Sequence, residues 1–159
     1  MKTKTMLLAI LTLFYLTSSC TNKIDDQAEQ SNVQKTIKKL YKSFEQKDIN
    51  LMSEVMAHDE SMLSFGTSIS DVHMNWEEWK QNHINQFKAF DSAKINSKNL
   101  NVYLNQTGNV SWFADIGDWE IVMQSDTIQI SDVRITGVLE KRDDLWKIVQ
   151  IHASVPQGE

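Results

Sequence analysis

The segment Gly137–Pro156, GVLEKRDDLWKIVQIHASVP, decides the fold predicted for this chain. It indicates two strands joined by a tight turn at Asp143-Asp144, because acidic residues are good turn formers between apolar runs. Side chains of the second strand alternate between a polar and an apolar face. The polar face holds Gln150, His152 and Ser154, and the apolar face holds Val149, Ile151 and Ala153. The polar face predicts a sheet that lines something other than a dry core.

The first residues of the chain are typical of an export signal. Lys2 and Lys4 precede the apolar run Met6–Leu16, and small polar residues lead from there to Cys20. The run is too short for a membrane span, which takes about 20 apolar residues. Cys20 is the only cysteine and sits at the expected cleavage site. We therefore predict a signal peptide over residues 1–19 and a bacterial lipoprotein anchored through a lipidated Cys20; the alternative is an ordinary cleaved signal with an incidental cysteine.

The segment after the signal is almost free of apolar residues. Residues 20–32 are predicted as the lipidated cysteine and a flexible tether, and residues 33–156 as one folded domain. Loss of Lys2 and Lys4 with the signal changes the formal net charge from −5 to −7. An acidic chain without a Lys/Arg cluster argues against a nucleic-acid partner. We expect an exported protein at the outer membrane or a periplasmic membrane face, attached through its N-terminal lipid only.

The order of elements predicts an α+β fold. Apolar residues at helical spacing indicate a helix over 33–47, a short second helix from Asn50, and a third helix over 75–90. From residue 93 to 155 the pattern changes to strands separated by polar turns. Three N-terminal helices would then cover one face of a curved, mainly antiparallel sheet, which makes a cone whose open end can hold a small ligand.

The terminal hairpin also carries a family pattern. It reads R-x-T-x-V from Arg134, W-K-I-V from Trp146 and H-x-S-x-P from His152. With the order of elements over Val33–Pro156, this resembles the SnoaL-like branch of the NTF2-like superfamily, which includes relatives of ketosteroid isomerase. The chain departs from the pattern at Leu145, where the family usually has Gly. The resemblance implies the NTF2-like cone, a ligand cavity and a homodimer packed through the sheets.

The resemblance does not carry over a catalytic mechanism intact. Ketosteroid isomerase relatives use a carboxylate base on the first strand, a tyrosine on the first helix and a protonated acid on a later strand. Tyr41 matches the tyrosine. The predicted first strand, Ser61–Phe65, has no carboxylate, so the expected general base is missing. This counts against an isomerase of that kind.

Three residues are candidates for acid–base chemistry: His152, Asp115 and Tyr41. His152 lies in phase with the polar strand face and could exchange a proton near neutral pH; alternatively, it hydrogen-bonds a neighbouring strand or the dimer surface. An inward-facing Arg134 would need an anion or a carboxylate, and Asp115 could provide the latter. A buried Arg134–Asp115 ion pair and an anion-binding site remain alternatives.

A wider set of residues is predicted to bind the ligand. Trp112 and Trp119 lie on opposite faces of one strand, so at most one of them lines the cavity unless a bulge intervenes. The histidines outside the last strand lack metal-ligand spacing, and no phosphate loop is present, so neither a metal nor a cofactor is predicted. The predicted ligand-binding residues are Arg134, His152, Trp112, Trp119, Thr136 and Ser154.

We interpret the chain as a lipid-anchored binding domain for a small, partly apolar molecule. One alternative is an acid–base isomerase or cyclase for a small carbonyl compound, with His152 as base, Arg134 and Tyr41 polarising an oxygen, and Asp115 orienting them. The other is a protein-interaction module without a ligand.

Overall fold

The computed structural model describes residues 25–157. The predicted signal peptide, Cys20 and the first part of the predicted tether lie outside these residues. Within 25–157, no helix is long and apolar enough to cross a membrane. In chain order the elements are α1 Asp26–Glu45, α2 Ile49–Ser53, β1 Leu63–Phe65, β2 Val72–His73, α3 Trp76–Ala89, β3 Ser92–Ser97, β4 Asn101–Leu104, β5 Val110–Met123, β6 Asp126–Arg142 and β7 Leu145–Ser154.

Each helix begins at a polar residue whose side chain accepts hydrogen bonds from the first turn. Asp25 accepts from the Ala28 amide at the start of α1, Asp48 caps α2, and Asn75 accepts from the Glu78 amide at the start of α3. Such caps satisfy amide groups that have no partner within the helix. The three predicted helices are therefore present.

The strands form one curved sheet in the order β2-β1-β7-β6-β5-β3, with β4 also paired to β5. All strand pairs are antiparallel except β1 with β7. The helices pack against one face, where Val33 and Ile37 of α1 are buried together with Phe113, Ile135 and Ile148 of the sheet. The predicted α+β cone, with three helices on a curved and mainly antiparallel sheet, is confirmed.

Two bulges change which residues face the core along the longest strands. Between Gly117 and Trp119 the register of β5 with β6 shifts, and the extra residue lies in β6, where Asp132 has a φ of 57°. The Lys98 ammonium lies 2.7 Å from carboxylate oxygens of both Asp118 and Asp132 and so closes the bulge. An extra residue reverses the alternation of side chains between the two faces of a strand. Ile130 on one side of the bulge and Val133 on the other therefore both face the core. The second shift lies between Val138 and Leu139, at the pairing with β7.

The first helix extends upstream of residue 33, where the sequence predicted the folded domain to begin. Helix α1 begins at Asp26, within the segment predicted to be flexible. Glu29 explains the difference, because it accepts hydrogen bonds from Lys141 Nζ and from Trp146 Nε1, both at 2.8 Å. Helical spacing of apolar residues starts only at Val33, so the sequence pattern missed a turn of helix held by polar contacts.

Candidate functional site

A cavity of about 320 Å³ opens between the second half of α1, the helix α3 and the inner face of the sheet. Its wall is mainly apolar and rich in aromatic rings. Phe44 packs centrally in this wall: its ring stacks on Phe90 with 5.4 Å between centroids and lies 6.1 Å from the Trp119 ring. A volume near 300 Å³ is at the lower end of the range found for small-molecule sites. The residues that line the cavity include Tyr41, Phe44, Asp71, His73, His83, Trp119 and Ala153.

His83 is a buried acid–base group of the cavity whose pKa is strongly lowered. Its Nδ1 lies 2.8 Å from the Trp79 carbonyl oxygen, which accepts the ring N–H and leaves Nε2 without a proton. Burial lowers the pKa of His83 to about 4. This effect outweighs the Trp79 carbonyl and the Asp71 carboxylate, both of which raise the pKa. The imidazole is therefore neutral at physiological pH, and Nε2 can only accept a hydrogen bond.

Tyr41 and Asp115 form a buried pair at the base of the site. The Tyr41 hydroxyl donates to Asp115 Oδ2 at 3.0 Å, and the Asn99 amide lies 3.3 Å from Oδ1. Burial, followed by the nearby Asp115 charge, raises the pKa of Tyr41 well above its usual value. The hydroxyl stays protonated and its proton is directed to Asp115, so Tyr41 has only lone pairs left to offer a ligand.

Two buried polar atoms of cavity-lining residues have no hydrogen-bond partner among the described residues. They are Nδ1 of His73 and Nε1 of Trp119. A buried polar atom without a partner costs about 1–3 kcal/mol, and structures rarely keep one without a reason. Both residues line the same cavity, so a small rotation of either ring would bring its buried polar atom within reach of a bound molecule.

Asp71 is positioned by the loop between β1 and β2. The Gly66 amide donates to the Asp71 carbonyl at 2.7 Å, and the Ser68 amide donates to Asp71 Oδ2 at 3.2 Å. A Cβ on Gly66 would lie 2.5 Å from Asp71 Cβ, so only glycine leaves room for the Asp71 side chain. Within residues 25–157 the Asp71 carboxylate forms no ion pair.

Five of the residues predicted to line the cavity lie instead on the outer face of the sheet. The polar face of β7 points away from the helices, whereas Ile151 and Ala153 point into the cavity. The physical reason is that the concave face holds the helices and the apolar core, so the apolar side of the strand turns toward it. The residues to which this correction applies are Trp112, Arg134, Thr136, His152 and Ser154.

The predicted approach of Arg134 to Asp115 is also wrong. Asp115 is paired with Ile135 across β5 and β6 and is 2% exposed, so it faces the core. Arg134 is next to Ile135 and therefore faces outward. The side chain that contacts Asp115 is instead that of Tyr41, which the sequence had placed on the first helix without a predicted hydrogen-bond partner. His152 does not join this group, while Trp119 lines the cavity.

The outer face carries an exposed aromatic pair. The rings of Tyr103 and Trp112 stack with 5.8 Å between centroids, and about half of each side chain is exposed. Across the sheet, Thr136 pairs with His152, and His152 lies beside Phe65 of β1. Five of the six residues predicted to bind a ligand, all but Trp119, thus belong to a surface with apolar and polar members, on the side of the sheet opposite the cavity.

Sequence reasoning missed Asp71, His73 and His83 as members of the site. His83 lies on the apolar stripe of the predicted third helix, and this position among aromatic residues was a usable signal. Asp71 lies in the loop between β1 and β2 and His73 in the two-residue strand β2, and no sequence pattern there distinguishes them. No group of three or more His, Cys, Asp or Glu side chains within the described part of the chain is arranged to hold a metal ion.

Comparison with known proteins gives a family and a fold. Residues 33–158 match the sequence model of the SnoaL-like domain. Among solved structures, an NTF2-like superfamily protein from Salmonella enterica serovar Typhimurium is similar with a TM-score of 0.75 and 14% identity, over 83% of this chain and 94% of that one. A proposed dehydratase of the NTF2-like family from Streptomyces avermitilis has a TM-score of 0.75 and 13% identity, over 83% and 99% of the two chains.

A third similar structure is a proposed scytalone dehydratase from Novosphingobium aromaticivorans, with a TM-score of 0.73 and 7% identity over 82% of this chain and 86% of that one. No curated protein matches the sequence. At these identities the structural likeness shows the fold alone.

Proposed function

The chain belongs to the SnoaL-like domain family, and we propose that it binds a small, mainly apolar molecule in the cavity between α1, α3 and the sheet, without converting it. The observation that carries the proposal is a cavity of about 320 Å³ with a mainly apolar, aromatic wall, two of whose residues, His73 and Trp119, keep a buried polar atom without a partner among residues 25–157. Apolar walls favour binding by the hydrophobic effect, and a few polar atoms fix the orientation of the ligand.

The absence of a carboxylate on β1 supports binding over the isomerase reaction of ketosteroid isomerase relatives. Ser64 is the inward-facing residue of that strand, and serine cannot act as the general base. The hydroxyl of Tyr41 is already donating to Asp115, so it is not free to donate to a developing oxyanion.

Binding of N-phenyl-1-naphthylamine, a neutral dye that fluoresces in apolar surroundings, tests the proposal. The wild-type protein should bind the dye at a single site per chain. Ala153→Phe places a large ring in the cavity and should reduce dye affinity at least tenfold. Ala28→Phe adds the same ring at an exposed position of α1 and serves as the matched control.

Two results would overturn the proposal. One is a wild-type protein that does not bind the dye, which would favour a protein-interaction module. The other is equal dye binding by Ala153→Phe and the wild type, provided that circular dichroism shows both to be folded, since the dye would then bind elsewhere.

A second candidate function is acid–base catalysis on a small carbonyl compound. It is favoured by the presence of Asp71, His73 and a neutral His83 in one cavity, because a buried group with a perturbed pKa beside other titratable side chains in a cleft is typical of active sites. In this function His73 would remove a proton next to the carbonyl and return it elsewhere. The role assigned to His152 from sequence passes to His73 because His152 lies outside the cavity.

Deuterium exchange tests this second candidate. Incubation with 2-tetralone in D₂O should accelerate exchange at the carbon next to the carbonyl, as followed by proton NMR. His73→Gln should remove the acceleration and His152→Gln should leave it intact. Exchange at the buffer rate with the wild-type protein would exclude proton abstraction from this ketone.

We also propose that the protein is a homodimer packed through the outer face of the sheet. Support comes from the exposed Tyr103–Trp112 stack together with Arg134, since Tyr, Trp and Arg are enriched at interfaces. Light scattering after size exclusion should give twice the chain mass for the wild type and the chain mass for Trp112→Lys. A monomeric wild type at micromolar concentration would contradict this.

Export and lipid anchoring remain proposals that rest on the sequence of the first 20 residues. Mass spectrometry of the full chain expressed in a bacterium should find a diacylated or triacylated Cys20 at the N-terminus. Cys20→Ser should leave an unmodified chain in the soluble fraction. An unmodified Cys20 in membrane-free wild-type protein would contradict the anchor.

A further inference from the structure

We infer that the cavity selects a protonated amine carried on a flat apolar body, and that it discriminates against anions of the same shape. The inference rests on the proposed binding function and names the chemical class of its ligand. It follows from which hydrogen-bonding groups of the wall are still available and from the charges that surround them.

Two polar side chains of the wall, Tyr41 and His83, already have their protons engaged in hydrogen bonds within the protein. The Tyr41 proton is directed to Asp115, so the hydroxyl oxygen can only accept. The N–H of His83 is directed to the Trp79 carbonyl, so Nε2 can only accept as well. A ligand that satisfies these groups must present N–H or O–H donors.

Asp71 adds a charge to this pattern. Its carboxylate lines the cavity, accepts one backbone hydrogen bond from Ser68 and forms no ion pair within residues 25–157. A carboxylate is the natural partner of an ammonium group, because hydrogen bonds between charged partners are stronger than neutral ones.

No lysine or arginine lines the cavity among the described residues. The Lys47 ammonium donates to the Phe90 carbonyl and lies 5.5 Å from the centre of that ring, but Lys47 is not part of the wall. An anionic ligand would therefore meet Asp71 without a compensating positive group in the wall, which costs affinity.

The aromatic rings of the wall suit a cation with a flat body. The Phe44 ring is stacked 5.4 Å from the Phe90 ring and tilted 6.1 Å from the Trp119 ring. Ring faces attract cations and also pack against flat apolar groups. The indole N–H of Trp119 is a buried donor without a partner among residues 25–157, and it could bind an acceptor atom of the ligand after a small rotation of the ring.

Three compounds that share a naphthalene ring test the inference: 2-(1-naphthyl)ethylamine, 2-(1-naphthyl)ethanol and 1-naphthylacetate. They are positively charged, neutral and negatively charged at pH 7. Each competes with N-phenyl-1-naphthylamine, and its dissociation constant is obtained from dye displacement. We expect the amine to bind roughly tenfold more tightly than the alcohol, and the carboxylate to bind most weakly.

Asp71→Asn isolates the contribution of the charge. This variant keeps a side-chain oxygen for the Ser68 amide, so the loop is expected to fold. Amine affinity should fall roughly tenfold and alcohol affinity should change less than about twofold. Asp91→Asn is the control, because Asp91 also accepts one backbone hydrogen bond, from Gln124, but does not line the cavity.

The outcomes separate this inference from the proposed function. If the alcohol displaces the dye and the amine is not preferred, or if Asp71→Asn has no effect on amine affinity, the inference is overturned and binding in the cavity stands. The inference is equally overturned if the dye binds and none of the three compounds displaces it. If the dye does not bind either, the proposed function fails too.

Discussion

At the scale of single residues, the most consequential contact is between Tyr41 and Asp115, which are 74 positions apart in the chain. Asp115 is a carboxylate that is 2% exposed, and a buried charge is costly unless hydrogen bonds satisfy it. The Tyr41 hydroxyl and the Asn99 amide provide those bonds. The same contact decides that Tyr41 acts toward the cavity as an acceptor.

Removing the Tyr41 hydroxyl should destabilise the protein. Tyr41→Phe leaves Asp115 with one weak partner, and we expect the free energy of unfolding in urea to fall by about 1–3 kcal/mol. Tyr103→Phe is the control, because the Tyr103 ring is exposed on the outer face, and its effect should stay within about 0.5 kcal/mol. Equal effects of the two substitutions would show that the buried contact contributes nothing.

His83 should make the stability depend on pH. Burial lowers its pKa to about 4 in the folded protein, against 6.5 for the unperturbed group. Between these values the unfolded chain binds more protons than the folded one, so the stability is complete above pH 6.5 and falls as the pH drops toward 4. The loss approaches about 3 kcal/mol at most.

Urea unfolding at pH 7, 6 and 5 measures this slope. His83→Gln removes the titrating group and should flatten the part of the slope that belongs to it. His152→Gln changes an exposed histidine outside the cavity and should keep the wild-type slope. A His83→Gln variant with an unchanged slope would mean that this histidine is not held neutral by burial.

At the scale of elements, the first helix shows what periodicity can and cannot detect. Apolar spacing from Val33 predicts most of α1, and the strand alternation predicts the long hairpins. The first turns of α1 escaped prediction because they are held by Glu29, a polar residue whose partners Lys141 and Trp146 lie more than a hundred positions away. Such contacts leave no local pattern.

Glu29→Ala should weaken the attachment of α1 to the β6–β7 hairpin. The substitution removes the hydrogen bonds that Glu29 accepts from Lys141 and Trp146. The hydrogen bond from Lys141 is also the main cause of the lowered pKa of Glu29. We expect a loss of about 1–3 kcal/mol in urea unfolding, mainly because the buried Trp146 N–H loses its partner. Glu77→Ala, at an exposed helix pair with Lys80, should leave the midpoint unchanged. An equally small effect at Glu29 would support the flexible tether.

At the scale of the whole molecule, the sheet separates two surfaces that the sequence combined into one. The inner face forms the cavity with α1 and α3, and the outer face carries Trp112, Arg134 and His152. The N-terminal end of α1 lies beside the β6–β7 hairpin, whereas Tyr41 and Phe44 near its other end line the cavity. A helix of 20 residues is about 30 Å long, so the cavity lies far from the N-terminal end of α1.

The two surfaces should respond to mutation independently. Ala153→Phe is expected to reduce dye affinity at least tenfold without changing the molecular mass in solution. Trp112→Lys is expected to reduce the molecular mass to that of one chain without changing dye affinity. In the double variant both effects should add, because separated sites without shared partners behave additively. Dye affinity and light scattering measured on all four proteins check this. A loss of dye binding in Trp112→Lys would show that the outer face contributes to the ligand site.

The sequence by itself determined the elements, their order and the family, because helical spacing, strand alternation and turn residues are local properties of the chain. It also determined that Gln150, His152 and Ser154 share one strand face. The tertiary structure decided which face is concave, since that depends on where distant helices pack. It also decided the partner of Asp115 and brought Asp71, His73 and His83 into one cavity. Alternation shows that two faces of a strand differ, but only the packing of the helices determines which face becomes the inside.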